Sequence, residues 1–201
     1  MCGIVAYLGP KPAFPILIDG LKRLEYRGYD SAGVAIIEST KAEPSKLVIR
    51  KKKGKVKDLL SHVGKEKLLG NVGIGHTRWA THGPPNDVNA HPHRASKGRI
   101  AIIHNGIIEN YAALRETLDQ RGHALLSDTD SEVLVHLIEE IMLGSGLSLF
   151  DAVRSALKQV VGAYAIVVID REHPDRLIAA RKSSPLVIGM GEDGAFYVAS
   201  D

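Results

Sequence analysis

Two kinds of hydrophobic spacing divide the chain into strand-like and helix-like segments. A short apolar run bounded by glycine, proline or polar residues is typical of a buried strand, whereas apolar residues three and four apart are typical of an amphipathic helix. In the first half of the chain, the runs at 3–8, 31–37, 46–52, 72–76 and 99–104 predict strands. Helical spacing after the first run predicts the first helix, through Phe14, Leu17, Leu21 and Leu24.

The second half of the chain carries helices and then strands. Helical spacing covers 108–120, 131–142 and 149–160, and strand-like runs follow at 163–170, 176–181, 186–190 and 195–199. Ser148 is placed to cap the third of these helices, and Asp130 or Ser131 to cap the second. Strands therefore come at both ends of the chain, which differs from the strict alternation of a parallel α/β fold. The order predicts an α+β fold of mostly antiparallel sheets packed together, with the helices outside.

Two polar stretches interrupt these elements. The stretch at 38–45 joins two predicted strands, and the longer one at 77–98 is rich in proline, glycine, histidine and asparagine and has little periodicity. A loop of that length inside a compact domain is usually functional. We therefore expect part of a site within 77–98.

Composition and charge exclude several classes of protein. Of the 201 residues, 44% are hydrophobic and 24% are charged, which is typical of one globular domain. The single cysteine rules out an intrachain disulfide and a four-cysteine zinc module. The net charge of +3 is too small to indicate nucleic-acid binding, and the basic stretch at 46–57 is expected to be a solvated strand and helix start.

The ends of the chain carry further expectations. No apolar run of about 18 residues predicts a membrane span, and the N-terminus lacks the basic and apolar regions of a signal peptide. We therefore expect a cytoplasmic protein that does not bind membranes. The chain stops at Asp201, directly after its last predicted strand, so we expect a domain over 2–201 that is truncated at its C-terminal end.

The candidate nucleophile is Cys2, which follows the initiator methionine directly. Because cysteine is small, we expect Met1 to be trimmed, which leaves Cys2 with a free α-amine. An α-amine has an ordinary pKa of about 7.8, below the value of about 8.5 for a thiol, so it can accept the thiol proton near neutral pH. Position alone leaves a second interpretation open, in which Cys2 is a small apolar residue that opens a strand.

Five motifs, beginning with the one that contains Cys2, follow one another along nearly the whole chain. They are Cys-Gly-Ile-Val at 2–5, Tyr-Arg-Gly-Tyr-Asp-Ser-Ala-Gly at 26–33, His-Thr-Arg-Trp-Ala-Thr-His-Gly at 76–83, His-Asn-Gly-Ile-Ile-Glu-Asn at 104–110 and Thr-Asp-Ser-Glu at 129–132. Together they closely resemble the N-terminal glutaminase domain of the glutamine–fructose-6-phosphate aminotransferases, or glucosamine-6-phosphate synthases, a family of class II glutamine amidotransferases. The forms at 26–33 and 76–83 resemble this sugar-phosphate branch rather than the purine or asparagine branches.

The resemblance implies an N-terminal-nucleophile (Ntn) hydrolase fold, which is a four-layer αββα sandwich of two antiparallel sheets. It implies hydrolysis of the side-chain amide of L-glutamine, with no cofactor. In the family's full-length enzyme, which we expect to be a homodimer, the ammonia passes to sugar isomerase domains that bind fructose 6-phosphate and form glucosamine 6-phosphate. We expect those domains to be absent from this chain. A glutaminase domain of the purine or asparagine branch and a non-catalytic glutamine-binding module are the alternatives.

The resemblance also implies roles for single residues. Cys2 is expected to attack the amide carbon and form a thioester, with the Asn105 side-chain amide and the Gly106 backbone N–H as the oxyanion hole. Arg78 is expected to bind the α-carboxylate of glutamine, and Asp130 its α-ammonium. Without the resemblance, other interpretations stay open, because Asn-Gly is a strong hairpin-turn signal and aspartate is a common helix N-cap.

Four further residues belong to the expected site. Trp79, Thr81 and His82 lie in the segment that resembles the family's mobile glutamine lid, where an aromatic side chain can keep water away from the thioester. Arg27 lies in the motif at 26–33, and it is expected to brace the N-terminus.

Two remaining features concern metal binding and a departure from the family pattern. His82, His91 and His93 have spacing that can chelate a metal, but no carboxylate or thiolate pattern accompanies them, so we expect no metal site. Ser183 stands where the family usually has glycine, and we expect it to alter the conformation of a turn without touching the site.

Overall fold

A computed structural model describes residues 2–39 and 44–201 of the chain. The elements in those ranges are β1 (Gly3–Leu8), α1 (Ala13–Arg23), β2 (Ser31–Glu38), β3 (Lys46–Lys53), α2 (Val56–Val63), β4 (Val72–Arg78), β5 (His93–Arg94), β6 (Ile100–Ile108), α3 (Tyr111–Gln120), α4 (Asp130–Ser145), α5 (Leu149–Leu157), β7 (Gly162–Asp170), β8 (Ile178–Lys182), β9 (Val187–Met190) and β10 (Phe196–Ala199). Residues 40–43 of the predicted connection at 38–45 lie outside the described residues.

The strands form two antiparallel sheets. The first has the order β3-β2-β4-β1-β10-β9, and the second has the order β5-β6-β7-β8. Strand β1 lies inside the first sheet between β4 and β10, with Gly3 opposite Thr77 and Val5 opposite Ala199. Because the strands run in opposite directions, the residue before β1 lies level with the end of β4 and with the segment that follows β10. This register brings Cys2 beside Arg78.

Alternation along each strand separates the core into layers. In β1, Ile4 and Ala6 pack between the two sheets, whereas Val5 and Tyr7 pack on the side of α1. In β6, Ala101 faces the first sheet, while its neighbours in sequence pack against the other side. Successive residues of a strand point to opposite faces, so a strand that is buried on both faces has a continuous apolar sequence. This is why β1 and β6 are recognised as unbroken runs rather than as alternating patterns.

Helices cover the outer face of each sheet. The apolar sides of α1 and α2 pack on the first sheet, and those of α3, α4 and α5 pack on the second. The resulting order of layers is helix, sheet, sheet, helix, which confirms the predicted α+β sandwich. None of the helices in 2–39 and 44–201 has the length and apolar character that a membrane crossing requires.

The hairpin-turn interpretation of Asn105-Gly106 is wrong. Strand β6 continues through both residues to Ile108, with Asn105 opposite Ala165 and Gly106 opposite Tyr164 on β7. Gly106 has a φ of 129°, and a Cβ atom there would lie 2.0 Å from the Ala163 carbonyl oxygen. Only glycine fits this position, so the dipeptide marks an irregular point inside a long strand. The helix predicted from 108 accordingly begins only at Tyr111.

Helix capping corrects one prediction and confirms another. Helix α4 is capped by Thr129, whose side chain accepts a hydrogen bond from the Glu132 backbone N–H, and not by Asp130 or Ser131. Ser148 caps α5 as predicted, because its hydroxyl accepts from the Asp151 N–H at 3.2 Å. With Thr129 as the cap, the carboxylate of Asp130 is left for another role.

Ser183 adopts a backbone conformation that favours glycine. Its φ is 64°, in the left-handed region, and it is the one non-glycine residue with positive φ among those the structure describes. The turn therefore keeps the shape expected of glycine, with serine strained into it. The next two residues, Ser184 and Pro185, line the candidate site described below.

Candidate active site

Cys2 lies at the start of β1 against the residue that follows β4. The Trp79 backbone N–H donates to Cys2 Sγ at 3.1 Å, and the thiol donates to the Trp79 carbonyl oxygen, with 3.5 Å between Sγ and the oxygen. Burial raises the pKa of the Cys2 thiol, and the hydrogen bond from Trp79 opposes that shift without cancelling it. The thiol is therefore protonated at neutral pH, and it needs a base to become a nucleophile.

A cavity of about 270 Å³ opens in front of the Cys2 thiol. It lies where the ends of β1, β4 and β6 meet the start of α4. The structure brings all the site residues predicted from the sequence to the wall of this cavity, namely Cys2, Arg27, Arg78, Trp79, Thr81, His82, Asn105, Gly106 and Asp130. His91, His104 and Thr129 also line it, and sequence reasoning did not assign them to the site.

The side-chain amide of Asn105 connects the two sheets at the cavity. Its Nδ2 donates to the Cys2 carbonyl oxygen at 2.9 Å, and its Oδ1 accepts from His76 Nε2 at 2.9 Å. An amide nitrogen carries two N–H groups. One is directed at the Cys2 backbone, and the other is available to an oxygen atom bound in the cavity.

Arg78 is buried, with 3% of its surface exposed, and it holds the loop that follows β4. Its Nη2 donates to the carbonyl oxygens of His82 and Gly83, and its Nη1 lies 3.5 Å from the Pro84 carbonyl oxygen. Both Nη2 hydrogens are therefore engaged with the loop. A carboxylate in the cavity can be met by Nε–H or by the second Nη1–H, and a two-point fork, which needs Nη2, forms only after the loop carbonyls move.

Asp130 presents a buried carboxylate that is only partly satisfied. Its Oδ2 accepts from the Ile108 backbone N–H at 2.9 Å, while its Oδ1 lies 3.4 Å from the Ser131 hydroxyl and 4.0 Å from His104 Nδ1. Burial lowers the pKa of His104, so that ring is neutral near pH 7, and its Nδ1 lies 2.8 Å from the Ser131 hydroxyl. A cation in the cavity is therefore a suitable partner for Asp130 Oδ1.

The loop after β4 is anchored through its backbone, while the side chain of its first residue, Trp79, is exposed. The Ala80 N–H donates to the Asp30 carboxylate, which fixes the first residues of the loop. The Trp79 ring is 48% exposed and meets the edge of Tyr29 at 5.3 Å between ring centroids. Beyond it, the His82 ring meets Tyr111 at 4.8 Å. Trp79 is thus tied to the nucleophile through its backbone while its side chain stays accessible.

Arg27 and Ser200 together hold the start of β1. Arg27 Nη1 donates to the Ser200 carbonyl oxygen at 2.7 Å. The Ser200 hydroxyl accepts from the Ile4 N–H at 3.0 Å, and the Ser200 N–H donates to the Ile4 carbonyl oxygen at 3.1 Å. These contacts support the bracing role expected of Arg27.

Three contributors to the site were missed. Ser200 carried no local signal, because the residue it holds lies 196 positions earlier in the chain. Asp30 and His76 lie inside the motifs at 26–33 and 76–83, but the sequence alone indicates no role for either. Within 2–39 and 44–201, no group of three or more side chains is arranged to hold a metal ion.

Comparisons with known proteins agree with this arrangement. Residues 76–201 match the family described as a glutamine amidotransferase domain. The glutamine–fructose-6-phosphate aminotransferase of Bacteroides thetaiotaomicron is 57% identical over 201 residues, which is the whole of this chain and 32% of that protein. The protein of the same name from Thermus thermophilus is 55% identical with the same coverage. The chain thus spans about a third of the length of the curated relatives it matches.

A solved structure shares the fold over almost all of the chain. Glutamine phosphoribosylpyrophosphate amidotransferase from B. subtilis, complexed with ADP and GMP, is similar with a TM-score of 0.82 and 31% identity, over 99% of this chain and 42% of that one. This likeness, with the two stacked antiparallel sheets, confirms the predicted Ntn-hydrolase sandwich.

Proposed function

The chain belongs to the glutamine amidotransferase domain family, and on that premise we propose that it hydrolyses the side-chain amide of L-glutamine with Cys2 as the nucleophile. The observation that carries the proposal is one cavity whose wall holds a thiol, an amide donor, a guanidinium and a carboxylate, from Cys2, Asn105, Arg78 and Asp130. Each of these groups complements a different part of glutamine.

The substrate is held by its charged end and attacked at its amide end. Arg78 binds the α-carboxylate and Asp130 the α-ammonium, which fixes the side-chain amide toward Cys2. The Cys2 thiolate bonds to the amide carbon, and the carbonyl oxygen becomes an oxyanion that accepts hydrogen bonds from Asn105 Nδ2 and the Gly106 N–H. The C–N bond then breaks, ammonia leaves with a proton, and a thioester forms. Water hydrolyses the thioester to glutamate and restores the thiol.

The base in this scheme is the α-amine of Cys2, freed when Met1 is removed. Because the pKa of the thiol is raised, a base must take its proton at neutral pH. An α-amine with a pKa of about 7.8 can accept that proton and later give it to the departing ammonia. Amine and thiol on one residue are poorly aligned for direct transfer, so a water molecule bridges them.

We infer that this chain is part of a longer cytoplasmic protein, in which the ammonia is the nitrogen donor for an amino transfer. We infer that it passes to sugar isomerase domains that bind fructose 6-phosphate and form glucosamine 6-phosphate, in a homodimeric enzyme. Support comes from curated relatives named glutamine–fructose-6-phosphate aminotransferase, which are 51–57% identical to this chain. The amidotransferase that acts with phosphoribosylpyrophosphate is 31% identical. The sugar-phosphate acceptor is therefore favoured over the purine branch.

The direct test measures ammonia release from L-glutamine, with the wild-type chain compared with Cys2→Ala. Wild type is expected to release ammonia, and Cys2→Ala to release none above background while still binding glutamine in a calorimetric titration. Ammonia release by Cys2→Ala would remove Cys2 as the nucleophile. A wild-type chain that begins at Cys2, binds glutamine and releases nothing would instead support a non-catalytic binding module. Ser39→Ala, on the exposed surface, serves as the matched control.

A further inference from the structure

We propose that His76 is a positioning residue that orients the side-chain amide of Asn105, so that the N–H groups of Asn105, and not its oxygen, face the reacting amide of glutamine. The proposal rests on the proposed function and adds to it a residue that contributes only through Asn105.

The geometry determines the tautomer of His76. Its Nε2 lies 2.9 Å from Asn105 Oδ1 and 3.0 Å from the His104 carbonyl oxygen. Both partners are acceptors, so Nε2 must carry the hydrogen and donate it. His76 therefore presents an N–H group at the point where the oxygen of Asn105 is held.

The orientation of Asn105 decides whether the oxyanion is stabilised. The two ends of an amide differ only in that one donates and the other accepts, so a half-turn about the side-chain axis reverses the sign of the interaction. The N–H of His76 favours the orientation with Oδ1 on its own side and Nδ2 toward Cys2. The reversed orientation would set Nδ2 against the N–H of His76 and turn Oδ1 toward the oxyanion, where it repels the developing charge.

His76 remains neutral over the range in which the reaction is expected to run. The ring is fully buried, and burial lowers its pKa to about 3, despite the contacts with Asn105 and His104 that raise it. The charge of Arg78 opposes protonation too, and the His91 ring is stacked on His76 at 4.2 Å. His76 is thus a fixed donor and not a proton carrier.

The position of His76 in the fold explains why such a contact matters. His76 lies on β4 in the first sheet, directly opposite Ile4 of β1, while Asn105 lies on β6 in the second sheet. The hydrogen bond therefore joins the sheet that carries the nucleophile to the sheet that carries the oxyanion donor. Sub-ångström changes between these groups are expected to alter the rate.

A double-mutant cycle tests the proposal, with kcat and KM for glutamine measured for wild type, His76→Leu, Asn105→Ala and the double variant. His76→Leu is expected to lower kcat about 10- to 100-fold, with KM changed less than about threefold. In the Asn105→Ala background, His76→Leu is expected to lower kcat no further, because its effect passes through Asn105. If the losses of kcat in the two single variants multiply in the double variant, the positioning role is overturned.

Two polar substitutions keep the test decisive if His76→Leu does not fold. Glutamine can place an N–H close to the position of Nε2, whereas asparagine is too short to do so. His76→Gln is therefore expected to retain most of kcat, with the acid limb of the pH profile unchanged, while His76→Asn loses about as much as His76→Leu. Equal losses for glutamine and asparagine, or a shifted acid limb, would contradict the proposal. A wild-type chain that begins at Cys2 and releases no ammonia would overturn the proposed function itself, and with it the role of His76.

Discussion

Three buried histidines in ring contact make the folded chain sensitive to acid. His76, His91 and His93 are 0%, 5% and 3% exposed, and His91 lies between the other two at ring-centroid distances of 4.2 and 4.6 Å. Burial lowers the pKa of all three, and for His76 it reaches about 3. Arg78 lowers the pKa of all three further, and Lys51 that of His93. The folded chain therefore resists taking up protons that the unfolded chain accepts.

The sign and size of the effect follow from linkage. An unfolded histidine has a pKa of about 6.5, so between pH 6.5 and the folded value the unfolded state binds more protons and stability falls as the pH falls. Stability is fully present above about pH 7.5, and His76, with a folded pKa of about 3, removes about 2 kcal/mol by pH 5. His91 and His93 add losses of the same sign, because burial holds the pKa of each well below its usual value.

His91→Leu isolates one share of this loss. Neither ring nitrogen of His91 has a hydrogen-bond partner within the described chain, so the apolar replacement leaves no partner stranded. The free energy of unfolding is measured by urea denaturation at pH 7.5 and pH 5.0 for wild type, His91→Leu and His173→Gln, which changes an exposed histidine. Between the two pH values, His91→Leu is expected to lose less unfolding free energy than wild type, and His173→Gln to lose as much as wild type. An equal loss in wild type and His91→Leu would refute the reasoning.

Three further substitutions have defined outcomes. Asn105→Ala is expected to lower kcat for ammonia release about 10²- to 10³-fold, and to lower the unfolding free energy by about 1–3 kcal/mol because Cys2 and His76 each lose a hydrogen-bond partner. An unchanged rate would remove Asn105 from the oxyanion hole. Arg78→Lys is expected chiefly to raise KM for glutamine, because an ammonium cannot reproduce the guanidinium contacts, and an equal effect on an analogue without the α-carboxylate would contradict the assignment. Ser183→Gly is expected to stabilise the chain by about 0.5–1 kcal/mol in urea denaturation, since it relieves a left-handed φ, and a destabilised variant would show that serine is not strained there.

The sequence predicts the helices and strands whose apolar spacing reflects burial. It predicts little of which strands pair and of which residues lie opposite one another. The run at 3–8 and the helical spacing of Leu17 and Leu21 are local, so β1 and α1 were located to within a residue or two. The Asn105-Gly106 dipeptide misleads because its local preference for a turn is overridden by nine consecutive pairs between β6 and β7. Local chemistry alone does not show which strand lies opposite.

The same limit applies to the candidate site. The motifs drew attention to Cys2, Arg78 and Asp130, since their chemistry suits glutamine. The contact between His76 and Asn105 joins two sheets, and that between Ser200 and Ile4 joins the two ends of the chain. Such contacts arise only once the sheets are stacked, so spacing in the sequence carries no signal of them.

The most direct test of an α-amine that activates the adjacent thiol compares preparations of the chain with and without Met1. Intact mass identifies which form is present, and ammonia release from L-glutamine is measured on each. Activity is expected only in the form that begins at Cys2, and acetylation of its amine is expected to abolish that activity although the thiol remains. Full activity in a preparation verified to retain Met1 would contradict the mechanism.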